Sequence, residues 1–182
     1  MRPYQPEGHW EEITGSSRIL DTYPEDTGFK LYRRSLYTFW RRASPPPTMT
    51  IFDTPSRDVC IVKSSETNTP LQALSLLNDP QFVEAARVLA EKMLEDKTIL
   101  SEQIVLAYRR LTGISPNPKV IQLLEQHYTE QKEYFESSPK LAKELLNVGY
   151  AFVMNNISPA EVSAMTVVCN TIMSFDETIV KR

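Results

Sequence analysis

Five times in its second part the chain sets a capping residue directly before a proline: Thr69-Pro70, Asp79-Pro80, Asn117-Pro118, Ser138-Pro139 and Ser158-Pro159. The side-chain oxygen of such a residue accepts from a free N–H of a first helical turn. Proline at the first helical position sacrifices nothing there, because its N–H would have been an orphan. Each pair therefore reads as a helix start, and Ser101 with an acidic first turn reads as a sixth. The starts predict helices over 70–78, 80–96, 101–112, 118–136, 139–148 and 159–174.

Apolar spacing supports these helices. In 80–96 the set Phe82, Ala85, Ala86, Leu89, Ala90 and Met93 recurs at helical intervals. Ile104, Val105, Tyr108 and Leu111 do the same in 101–112, and Gly113 stands where a left-handed C-cap belongs. Helix 159–174 is apolar around most of its circumference (Val162, Ala164, Met165, Val167, Val168, Ile172, Met173) and is expected to be the most buried. No fixed-period repeat is present, which argues against a solenoid.

Residues 1–66 read differently. Pro3, Pro6, Gly8, Gly15, Pro24 and Gly28 punctuate an irregular stretch. Aromatics and Thr38 lean toward a strand around 34–40, with a helical turn as the alternative, Pro45-Pro46-Pro47 is expected to be extended, and 59–63 is a short β-prone run. The fold expectation is mainly α: a bundle of five or six helices over 67–182, preceded by an extended arm over 1–66 with one or two short strands. The arm is too poor in apolar residues to build a core alone and is expected to be the end of a larger domain.

Several functions are excluded or disfavoured. No apolar run approaches the ~20 residues of a membrane span. Residues 1–7 hold no apolar signal-peptide core, so no signal peptide is expected in this chain. With 20 basic and 23 acidic residues the net charge is −3, a poor balance for nucleic-acid binding. Only 5 glycines occur, and neither common phosphate-binding glycine motif is among them. His9 and His127 are isolated, so no metal site is expected. Cys60 and Cys169 form no CxxCH, so the chain attaches no c-type haem, and both read as small buried hydrophobes.

Three clusters carry the candidate chemistry. Lys30, Arg33, Arg34, Arg41 and Arg42 are interleaved with aromatics, with no acidic residue from 29 to 52. Guanidinium forks there match sulfate, phosphate or carboxylate, although charge clusters are more often paired or solvated faces. Asp53 with Arg57 has the make-up of a base and its orienter, or of a turn that caps itself. Asn68 and Gln72 flank a helix start and are expected to join Asp53 and Arg57 in one polar network. Asp176 and Glu177 read as a solvated helix end.

A run of motifs adds lineage: Tyr32-Arg33-Arg34-Ser35-Leu36-Tyr37-Thr38-Phe39-Trp40, Pro45-Pro46-Pro47, Phe52-Asp53-Thr54-Pro55-Ser56-Arg57, Thr67-Asn68-Thr69-Pro70-Leu71-Gln72-Ala73-Leu74, Leu77-Asn78-Asp79-Pro80-Gln81-Phe82-Val83-Glu84-Ala85-Ala86, and Ser174-Phe175-Asp176-Glu177-Thr178. Together they resemble the C-terminal part of the planctomycete cytochrome C-associated domain of unknown function, the "fifteen-fifty-three" family, from Tyr4 to Lys181. The resemblance implies a structural or catalysis-supporting module of a larger exported or periplasmic multidomain protein. It implies as partners the N-terminal part of the same domain and an upstream cytochrome c domain holding c-type haem. It supplies no catalytic residues and leaves open whether the protein is an enzyme. The alternative is part of a hydrolase or redox enzyme acting on polysaccharide, with residues 30–58 lining the site. The segment 149–157 departs from the polar loop expected at that point of the family pattern.

Overall fold

The computed structural model describes residues 1–2, 4, 24–41, 45–56, 59–62, 67–95, 99–154 and 156–180. The chain is mainly helical, and its contacts divide it into two units, Met1–Thr67 and Asn68–Arg182.

In the first unit the described residues form two 3-10 turns, Gly28–Lys30 and Ser35–Tyr37, and one short helix, α1, Pro47–Ile51. The expected short strands are not among them. Around 34–40 the alternative of a helical turn holds rather than the strand, because Leu36 and Tyr37 are adjacent rather than alternating and both side chains are exposed. Of the β-prone run 59–63, residues 59–62 are described. They form bends, with Val59, Ile61 and Val62 exposed, and a lone short run has no ladder to join. The three prolines are not uniformly extended either: Pro46 is, and Pro47 opens α1.

The second unit contains α2, Pro70–Asn78; α3, Pro80–Glu95; α4, Leu100–Thr112; α5, Pro118–Ser137; α6, Pro139–Leu146; α7, Pro159–Met173; and α8, Asp176–Ile179. Six of these match the proline-marked and Ser101-marked segments. The seventh, α8, begins at the acidic pair that the sequence presents as a solvated end. Asp176 and Glu177 instead fill a first turn, where carboxylates oppose the positive end of the helix dipole.

The capping chemistry splits. Thr69 forms a full capping box with Gln72, Asp79 accepts from Gln81 N at 2.9 Å, and Asn117 accepts from Lys119 N at 3.0 Å. Ser138 and Ser158 make no side-chain cap bond. Their carbonyls alone open the helices, accepting from Ala142 N and Val162 N. Helix α4 starts one residue before Ser101, whose hydroxyl donates to Glu125 on α5 instead of capping. Gly113 takes the left-handed cap at φ 82°.

Helix α7 is the axis of the unit, packed against α3, α4, α5 and α6. Ala164, Met165, Val168, Cys169 and Ile172 from it meet Ala86, Ala90 and Met93 of α3, Ile104, Ala107 and Tyr108 of α4, and Leu124 and Tyr128 of α5. Each large apolar side chain so buried contributes about 1.5–3 kcal/mol. A smaller cluster of Phe135, Ala142 and Ala160 closes the α6 end.

Candidate functional site

The buried face of α3 is rotated from the one read in the sequence. Ala85 is exposed, and the inward positions are Val83, Glu84, Ala86, Arg87, Ala90, Glu91 and Met93. Three charged residues therefore point inward, at spacings of three and four that align them on one helix face.

Their partner is the backbone of residues 149–154. Glu84 accepts from Ala151 N at 2.8 Å through Oε1 and from Tyr150 N at 3.1 Å through Oε2. Arg87 donates from Nη2 to Ala151 O at 2.8 Å and from Nη1 to Phe152 O at 3.3 Å. Nη1 also donates to Glu91 Oε1 at 2.8 Å, and that oxygen accepts from Met154 N at 3.4 Å. Successive backbone N–H groups cradle the Glu84 carboxylate as a nest cradles an anion. The approach is so close that a Cβ on Gly149, itself at φ 89°, would clash with Glu84 Oε2.

This clamp explains why 149–157 lacks the charges expected of a loop: the charges that hold it sit on α3. It also sets what the cluster can do. Both carboxylates and the guanidinium are spent on main-chain groups, so neither glutamate is placed as a solvent-facing acid or base. The side chains of Tyr150 and Phe152 stay exposed.

The residues nominated from the sequence are placed as follows. Arg33 and Arg34 are exposed, and neither enters an ion pair among the described residues. Asp53 follows the end of α1 at φ 56°. Its N–H reaches Thr50 O at 3.3 Å and Thr54 N reaches Met49 O at 3.0 Å, the paired bonds of a Schellman cap with aspartate where glycine is usual. Oδ2 of Asp53 accepts from both the N–H and the hydroxyl of Thr67. Arg57 lies outside the described residues. Asn68 donates to Asp176 Oδ1 at 3.0 Å, tying the start of α2 to α8. Gln72 is buried and accepts from Thr69 N at 2.8 Å in the capping box. Asp53 is thus anchored within the first unit, and Asn68 and Gln72 within the second.

Cys169 is fully buried as expected, and burial pushes its thiol up to about 12. Cys60 is exposed, contrary to its reading as a buried hydrophobe, because the run around it joins no core. Both thiols are free. No group of three or more metal-ligating side chains occurs among the described residues, and none of their helices is long and apolar enough to cross a membrane.

The second unit is a helical module centred on α7, in which Glu84, Arg87 and Glu91 bond to its own main chain. The chain belongs to the family described as PSD1, protein of unknown function (DUF1553), whose match covers residues 1–128. The motifs from Tyr32 to Ala86 fall inside that match, and residues 174–178 fall beyond it. No curated protein and no solved structure matches the chain.

Proposed function

We propose that this chain is a structural or catalysis-supporting module, the C-terminal part of its family domain, within a larger exported protein associated with c-type cytochrome domains. One observation carries the reading. Among the described residues of the first unit no large apolar side chain is buried, while Phe29, Tyr32, Leu36, Tyr37, Val59 and Val62 are exposed. A folded unit that leaves so much apolar surface in water is a unit with a covering partner. The commitment of Asp53 to Thr67, and of Glu84 and Glu91 to residues 149–154, favours a supporting role over a catalytic one. Any haem belongs to another part of the protein, since no CxxCH occurs in this sequence.

An antiserum raised against the chain tests this on fractionated source cells. The expected band is well above 20.9 kDa, lies in the exported fraction and stains for covalent haem. A single band at 20.9 kDa inside the cell would overturn the proposal.

A further inference from the structure

We infer that residues 29–37 are a preformed docking face for an acidic protein surface that carries aromatic or aliphatic side chains. On the module reading, which this inference rests on, that surface is supplied by the rest of the larger protein.

The face is held at both ends by the same short stretch of main chain. Asp26 N donates to Arg2 O at 2.9 Å, and Arg2 N donates to Asp26 Oδ2 at 2.8 Å. At the other end Phe39 N donates to Met1 O at 2.7 Å, and the Arg2 guanidinium lies 5.5 Å from the Phe39 ring centroid. Residues 26–39 thus form a closed loop with anchored feet, the form of a compact Ω-loop. Within it the two 3-10 turns lift Phe29, at 94% exposure, and Leu36, at 75%, into solvent, with Tyr32 and Tyr37 beside them. Lys30 in the first turn, and Arg33 and Arg34 between the two turns, are exposed and enter no ion pair among the described residues.

Tyrosine and arginine are enriched in protein interface hot spots, and phenylalanine is enriched at interfaces generally. An anchored loop also loses little conformational entropy on binding, so the exposed aromatics are preorganised rather than floppy. Three cations without an ion pair among the described residues fix the charge sign of the partner, and the sequence holds no carboxylate from 29 to 52. A lipid surface fits less well. Each turn is three residues long, so no amphipathic helix is present to lie along a bilayer.

The test uses the full chain and three probes: a random glutamate–tyrosine copolymer, polyglutamate, and phosphatidylserine-containing vesicles. Binding is followed by titration calorimetry at low and moderate salt. The expected order is copolymer tighter than polyglutamate, with affinity falling as salt rises. Arg33→Ser with Arg34→Ser should weaken copolymer binding by roughly tenfold or more. Phe29→Ser with Leu36→Ser should erase the preference for the tyrosine-containing polymer. All four sites are exposed, and superimposable thermal melts would show the variants folded. Wild-type failure to bind the copolymer, or equal binding by both double variants, would overturn the inference. Tighter binding to the vesicles through the same four residues would overturn the protein occupant. The antiserum experiment makes no use of this face, so a larger exported protein without copolymer binding refutes the face alone.

Discussion

Arg87 Nη1 and Glu91 Oε1 meet at 2.8 Å one turn apart on α3, with 1% and 4% of their side chains exposed. A pair so dry costs heavily in desolvation and persists only when its remaining polar atoms are satisfied. Here the carbonyls of Ala151 and Phe152 and the N–H of Met154 supply most of those partners. The pair and the ordered segment 150–154 are therefore one device.

Removing one member should cost more than removing both. Arg87→Met strands a buried carboxylate and two main-chain carbonyls, so a loss of about 3–5 kcal/mol in urea unfolding is expected. Arg87→Met with Glu91→Met should cost much less than the sum of the singles. Arg87→Lys should not rescue, because an ammonium lacks the fork that reaches Glu91, Ala151 and Phe152 together. Additive losses would show that the pair is not coupled.

Gly149 is required twice, by its positive φ and by its contact with Glu84. A Cβ there would lie 2.7 Å from Glu84 Cβ as well as against the carboxylate, so side-chain rotation alone offers no escape. Gly149→Ala is expected to cost at least ~2 kcal/mol and to speed amide exchange at Tyr150 and Ala151. Unchanged exchange at those two amides would refute the nest.

The helices were legible because their starts are written locally, in a cap and a proline, and local rules govern the first turn. The clamp was not. Glu84, Arg87 and Glu91 belong by type to a solvent face, and only the main chain of residues 150–154, more than sixty positions away, gives them a reason to be buried. The rotation of α3 follows from the same fact, since an inward Arg87 displaces Ala85 outward. In the first unit the aromatics suggested a strand because composition carries β propensity without revealing whether a partner strand exists. Gln72, read from sequence as part of a polar network with Asp53, needed only the Thr69-x-x-Gln72 pattern to be read as a capping box.

Asp53 separates backbone strain from hydrogen bonding. At φ 56° glycine would relieve about 1 kcal/mol, yet it would remove the acceptor for Thr67. Asp53→Asn should keep both the left-handed cap and an acceptor, and should lie within ~1 kcal/mol of the native protein. Asp53→Ala should be the worst of the three. Amide exchange at Thr67 is the discriminating readout: fast in the glycine and alanine variants, near native in asparagine.

The two thiols should differ sharply. Cys60 is exposed and Cys169 lies in the core between α3, α4 and α5. Ellman's reagent at pH 8 should titrate one thiol in the native chain and both in guanidinium. Prompt native reaction of both would mean that the α7 core opens far more readily than its packing implies.

Alkali should destabilise the helical unit. Burial raises the Cys169 thiol to about 12 from an ordinary 9.0, and raises the Tyr128 and Tyr108 hydroxyls, with carboxylate neighbours adding to both. The hydrogen bond to Glu161 raises Lys132, against a smaller opposing effect of burial. All four groups hold their protons more tightly folded than unfolded. Between the unfolded and folded values the unfolded chain therefore binds fewer protons, and stability falls as pH rises. The stability these groups contribute is intact below about pH 9, near the lowest of the ordinary values, and drains away above it. Melting temperature should be flat from pH 7 to 8.5 and fall steadily toward pH 11. Cys169→Ala should lower the plateau through the small cavity it leaves, yet give a shallower alkaline slope, because it deletes the largest of the four shifts. A slope unchanged in that variant would place the alkaline loss elsewhere.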